Sequence, residues 1–162
     1  MNKVHRLKNV TPYEIDFARW SEEQAALLRS GRFDAVDLEN VAEEIESLGR
    51  SDKREISNRV GVILLHLLKW EFQPPERKPG WLLTLDEQRD SVRKLIKESP
   101  SLKRVPGASI NQEFEFARRK AAVETGLDLA SFPTECPYAA EDLLDLDFLP
   151  GPEWPRLSDF RR

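Results

Sequence analysis

The stretch Ile56-Ser57-Asn58-Arg59-Val60-Gly61-Val62-Ile63-Leu64-Leu65-His66-Leu67-Leu68-Lys69-Trp70 decides the fold. Its apolar positions 56, 60, 63, 64, 67 and 68 recur at the three- and four-residue spacing of an α-helix. Towards Trp70 the segment becomes apolar nearly all round, and a helix of that kind lies buried among others. The spacing therefore predicts a central helix. Ser51 caps it, and Pro74-Pro75 stops it near Phe72, because the residue before a proline is driven out of the helical region. The apolar run from Val60 to Leu68 is too short to span a bilayer. No apolar targeting region follows the basic start Met1–Lys8, so a cytoplasmic location is expected.

Two helices precede the central one. Thr11-Pro12-Tyr13-Glu14 has the form of a capping box with proline at the first helical position. Tyr13, Phe17, Trp20, Leu27 and Leu28 follow at helical spacing, and Gly31 stops that helix. Asp37 starts the next. Leu38, Val41, Ala42, Ile45 and Leu48 form its apolar stripe, and Gly49 is expected to end it.

Three segments follow. The polar connection Gln73–Gly80 leads into a helix carrying Trp81, Leu85, Val92, Leu95 and Ile96, ended by Ser99-Pro100. Ser109 caps a further helix with Ile110, Phe114, Ala117 and Ala121 inside and Gly126 as its stop. From Leu127 the chain is rich in proline and apolar residues, with a short helix at Ala140–Asp145. So apolar a segment is expected to pack across the bundle. The prediction is an all-α, up-and-down bundle of about five helices over residues 11–150. Residues 1–10 form an N-terminal arm and 151–162 a C-terminal tail.

The composition agrees with one packed domain. The chain has 162 residues, 40% hydrophobic and 33% charged, with a net charge of −4. This excludes disordered and collagen-like chains, and the slight acidity argues against a nucleic-acid binder. The single cysteine, Cys136, leaves no internal disulfide and no zinc-type pair. It reads as a small buried residue rather than a nucleophile, since an acid and prolines flank it.

Several runs resemble one family. They include Tyr13-Glu14-Ile15-Asp16-Phe17-Ala18-Arg19-Trp20, Glu43-Glu44-Ile45-Glu46-Ser47-Leu48-Gly49, Leu65-His66-Leu67-Leu68-Lys69-Trp70 and Phe132-Pro133-Thr134-Glu135-Cys136-Pro137-Tyr138. Together they are similar to the bacterial family catalogued as domain of unknown function number 29, from about Tyr13 to Pro150. The resemblance implies a helical fold and a bacterial, cytoplasmic origin. It implies no activity.

The charges are segregated. Asp34 to Glu46 holds six acids and no base, whereas Arg89, Arg93, Lys94, Lys97, Lys103 and Arg104 form a basic stretch. The basic stretch is expected to neutralise the acidic helix. On a helical wheel Glu39, Glu43 and Glu46 cluster within about 60°, beside the apolar stripe. Carboxylates placed so need a base, a donor or a cation. Arg19, Arg59, Lys69 and Arg93 are available. If the second and third helices run antiparallel, His66 comes near Glu43 or Glu46, as in carboxylate–histidine metal bundles. Glu39, Glu43, Glu46 and His66 are thus a candidate polar cluster. Structural pairing is the first reading, and a divalent-metal site, with hydrolase chemistry, is the alternative. Glu43-x-x-Glu46 and Glu87-x-x-Asp90 also bear comparison with the acidic motifs of helical nucleotide pyrophosphohydrolases. Their separation is too long, and such pairs arise easily in so charged a chain.

No catalytic constellation or cofactor motif accompanies these residues. The expected function is therefore protein interaction, with another protein or with itself. Exposed tryptophans often anchor interfaces, so Trp81 and Trp154 are the candidate surface. The rival reading packs Trp81 over the Trp70 end of the central helix.

Overall fold

The computed structural model describes residues 10–151. Among them every regular element is helical and no strand is present. The helices are α1 (Phe17–Arg29), α2 (Leu38–Phe72), α3 (Pro79–Glu98), α4 (Val105–Thr125) and α5 (Ala140–Leu144). Short 3-10 turns occupy Phe33–Ala35, Pro74–Glu76, Pro100–Arg104 and Leu129–Ser131. The chain is all-α, as expected, but the division into helices differs. Residues group into two compact units divided between Arg50 and Ser51.

The largest difference concerns Gly49. The second and third expected helices are one helix, α2, of 35 residues. Glycine needs a left-handed backbone to end a helix, and Gly49 has none, whereas Gly31 and Gly126 do, each with φ 72°. Arg50 supports the continuous turn by pairing with Glu43 and, at 3.5 Å, with Glu46. These partners lie seven and four residues back, on one helical face. A Cβ at Gly49 would meet nothing within 4 Å. Gly49→Ala should therefore stabilise the chain by about 1 kcal/mol, seen as a higher denaturant midpoint. A lower midpoint would mean that the helix breaks at this residue.

The first unit is small, and polar contacts hold it together. α1 begins at Phe17 rather than Pro12, because Asp16 is its cap and accepts from the Arg19 N–H at 3.0 Å. Thr11 does not cap. Its N–H and hydroxyl both donate to the Glu23 carboxylate, at 2.7 and 3.0 Å. Trp20, Gln24 and Leu27 are buried. Asp37 caps α2 as expected. Its carboxylate accepts from Trp20 Nε1 at 3.3 Å and from Asn40 Nδ2 at 2.7 Å. Its N–H donates to Gln24 Oε1 at 2.8 Å, and Tyr13 donates to Glu44. The inward face of this part of α2 is thus polar.

The second unit contains the main core. Ile56, Val60, Ile63, Leu64, Leu67 and Leu68 of α2 are all fully buried, as the all-round apolar pattern requires. Leu85 and Val92 from α3 and Phe114, Ala117 and Ala121 from α4 share the same core. α4 starts at Val105, four residues before the expected cap at Ser109. Pro106 and Gly107 fit its first turn, where a proline's missing N–H would be unpartnered anyway. Ser109 instead bonds the Ser57 hydroxyl at 2.7 Å and donates to the Val105 carbonyl.

The C-terminal segment packs into this core, as expected. Phe132, Tyr138 and Leu143 are buried in it, and Phe148 and Leu149 are partly so. Tyr138 donates to Glu71 Oε2 at 2.6 Å. Burial, and then this bond, hold the phenol well above its usual value of 10.0. The folded chain keeps the proton where the unfolded chain loses it. Stability should thus be unaffected by this group below pH 10 and fall above it by about 1.4 kcal/mol per pH unit. Tyr138→Phe should lose about 1–2 kcal/mol near neutrality but escape that alkaline loss. Urea unfolding at about pH 9 and about pH 11 checks this: parallel declines for both chains would refute it.

Candidate functional site

The Glu39, Glu43, Glu46 and His66 cluster does not form. The four residues lie on a single helix, so no antiparallel neighbour brings them together. Glu46 and His66 are twenty positions apart in the chain and belong to different units. The three glutamates are exposed. Arg50 takes Glu43 and Glu46, a partner absent from the expected set. Of the expected bases, Arg19 pairs with Glu23 and Arg59 with Glu55 within their own helices, Lys69 pairs with Glu124 of α4, and Arg93 makes no ion pair among the described residues. His66 Nδ1 donates to the Val62 carbonyl at 2.9 Å, within its own helix, and burial lowers its pKa. No group of His, Cys, Asp and Glu among the described residues could hold a metal ion. Glu87 and Asp90 are exposed on α3.

Trp81 also moves. It is 6% exposed and packs with Trp70 and Leu82, with the Lys69 ammonium 4.8 Å from its ring centre. The ring covers the Trp70 end of α2 and offers no exposed anchor. Trp154 lies outside the described residues. Cys136 is half-buried, and burial raises its thiol pKa, so it stays protonated and unreactive at neutral pH.

Two surface features emerge instead. The first is the stripe expected to be core on residues 38–48. Leu38, Ile45 and Leu48 are 65%, 64% and 70% exposed. Of the stripe only Val41 is half-buried, while Asp37, Asn40, Glu44 and Ser47 are half-buried beside it, with Asp37 held by Trp20 and Gln24 and Glu44 by Tyr13. The sequence carried the spacing of the stripe but not its direction. Leu38, Ile45 and Leu48 lie at intervals of seven and three, the seam of a helix–helix contact. Glu39, Glu43 and Glu46 flank them.

The second feature lies in the second unit. A groove of about 660 Å³ runs between α3, the turn Pro100–Arg104, the start of α4 and α5. Ile96, Pro106 and Leu144 give it an apolar floor, and Arg93, Lys97 and Lys103 stand along it. Glu141 and Asp145 line the α5 side. Arg93, Lys97 and Lys103 make no ion pair among the described residues. A smaller cavity of about 210 Å³ is lined by Gly61, Glu113, Phe116 and Lys120 among others. Burial raises the Glu113 carboxyl there.

Arg89, a member of the expected basic stretch, has a different role. It is fully buried and donates from Nε to the Leu143 carbonyl at 2.9 Å and from Nη2 to the Asp142 carbonyl at 3.2 Å. Burial pushes its pKa down to about 10, while Asp145, Asp142 and Asp147 hold it up. It therefore remains charged at neutral pH. Its placement on the α3 face shared with Leu85 and Val92 was readable from the spacing. What it clasps was not.

No helix among the described residues is long and apolar enough to cross a membrane. The family model described as "Domain of unknown function DUF29" matches residues 12–149, and the chain belongs to that family. No curated protein and no solved structure matches.

Proposed function

We propose that this member of the DUF29 family is a protein-interaction module, and that Leu38, Ile45 and Leu48 of α2 are its contact surface. The observation that carries this reading is their exposure, 64–70% for three large aliphatic residues in one row. Contiguous exposed apolar surface marks interaction sites. The acidic flank, Glu39, Glu43 and Glu46, favours a partner surface that is apolar with basic edges.

A synthetic amphipathic helix with leucines at heptad spacing and lysines beside them tests this chemistry. It should bind with a Kd in the range of about 1–100 µM and weaken with salt. The triple variant L38E/I45E/L48E should abolish binding while leaving the circular dichroism spectrum and unfolding midpoint in place. Binding that survives the triple variant, or no binding to the unaltered chain, would reject the surface.

A further inference from the structure

We infer that the acidic apolar row of one copy of this chain docks into the basic groove of a second copy. The inference rests on the interaction reading above and names its partner. Two surfaces of the chain fit each other. The row presents Leu38, Ile45 and Leu48 to solvent beside three exposed carboxylates on one flank, Glu39 and the Arg50-paired Glu43 and Glu46. The groove presents Ile96 and Leu144 beside three cations, Arg93, Lys97 and Lys103, with Glu141 and Asp145 on its α5 side. The row keeps an excess of acid and the groove an excess of base, each beside apolar side chains, and none of the three groove cations makes an ion pair among the described residues. The groove volume, about 660 Å³, lies in the range of ligand-sized clefts.

The symmetry of such a contact follows directly. Row and groove are different surfaces, so one contact is heterologous. Two copies related by a two-fold axis make it twice, row to groove and groove to row, and the assembly closes as a dimer. Lacking that axis, the same contact repeats and the assembly grows with concentration.

Charge reversal tests this outside the core, because all six residues are exposed, and the circular dichroism of each variant checks that α2 survives the loss of the Arg50 pairs with Glu43 and Glu46. The unaltered chain should sediment as a dimer or larger species at about 100 µM and dissociate on dilution and with added salt. The row variant E39K/E43K/E46K alone and the groove variant R93E/K97E/K103E alone should each lose at least about tenfold in self-affinity. Mixed together, they should associate again, since each reversed surface then meets its complement. A chain carrying all six changes should also recover. A chain that is monomeric throughout overturns the inference. So does a dimer indifferent to both reversals, or one that mixing fails to restore. The leucine–lysine peptide separates the two levels: a monomeric chain that still binds it through Leu38, Ile45 and Leu48 keeps the interaction surface and loses only the second copy as its occupant.

Discussion

Arg89→Ala should destabilise the second unit by about 3 kcal/mol and lower its melting temperature by roughly 6–12 °C. Three losses combine. The buried Leu143 carbonyl and the half-buried Asp142 carbonyl lose their donors, and an unsatisfied buried group costs about 1–3 kcal/mol. The truncated side chain leaves a cavity where a fully buried residue stood. The link between α3 and α5 goes with it. Arg89→Met restores much of the volume but no donor, and should recover only part of the loss. Arg93→Ala, one turn further along α3 and exposed, should stay within about 0.5 kcal/mol of the parent. Thermal unfolding of the three variants checks the order. If Arg89→Ala and Arg93→Ala behave alike, the buried clasp is wrong. Hydrogen exchange in residues 140–149 should accelerate in Arg89→Ala ahead of exchange in α2.

Phe132→Ala should have an effect of similar size, about 3–5 kcal/mol. Phe132 is 2% exposed, and its ring lies 5.3 Å from that of Phe72 at the end of α2. Its carbonyl accepts from Arg118. The ring thus pins the segment after α4 to the central helix. Ile45→Ala is the informative contrast. Both positions are apolar, and the helical stripe places Ile45 in a core. At 64% exposure its truncation should change stability by less than about 0.5 kcal/mol. Chemical denaturation of the pair decides it: a loss above about 2 kcal/mol for Ile45→Ala would place that residue in a core.

Legibility in the sequence followed the strength of local signals. The central helix was readable because Ile56 to Leu68 are apolar on every side, and only burial accommodates such a helix. The stops at Pro74 and Gly126 were readable because a proline ring and a left-handed glycine act on the backbone alone. Gly49 misled because a glycine that ends a helix and one that merely weakens it are the same letter. Arg50, with two acids on one side of the helix, decides between them. The start of α4 was read late because Ser109 resembles a cap, yet its hydroxyl is taken by Ser57 and Val105.

The candidate site failed for a related reason. Its geometry depended on two helices folding back on each other. Because residues 38–72 form one helix, α2, the antiparallel pair that the site required does not exist. The basic stretch divided in a way that composition could not foresee. Arg89 is buried against carbonyls, while Arg93, one turn away, stands in a groove.

By itself, then, the sequence determined that the chain is helical, where its strongest helix lies, that the C-terminal segment joins the core, and which residues share a face. Helix periodicity and proline chemistry are local, and a single chain expresses both. Only the tertiary structure decided which face turns inward. On residues 38–48 an inward polar face, held by Trp20, Gln24 and Tyr13, displaced the apolar one. Hydrogen bonds to partners distant in sequence outweighed the burial that the stripe alone would favour, and left Leu38, Ile45 and Leu48 facing the solvent.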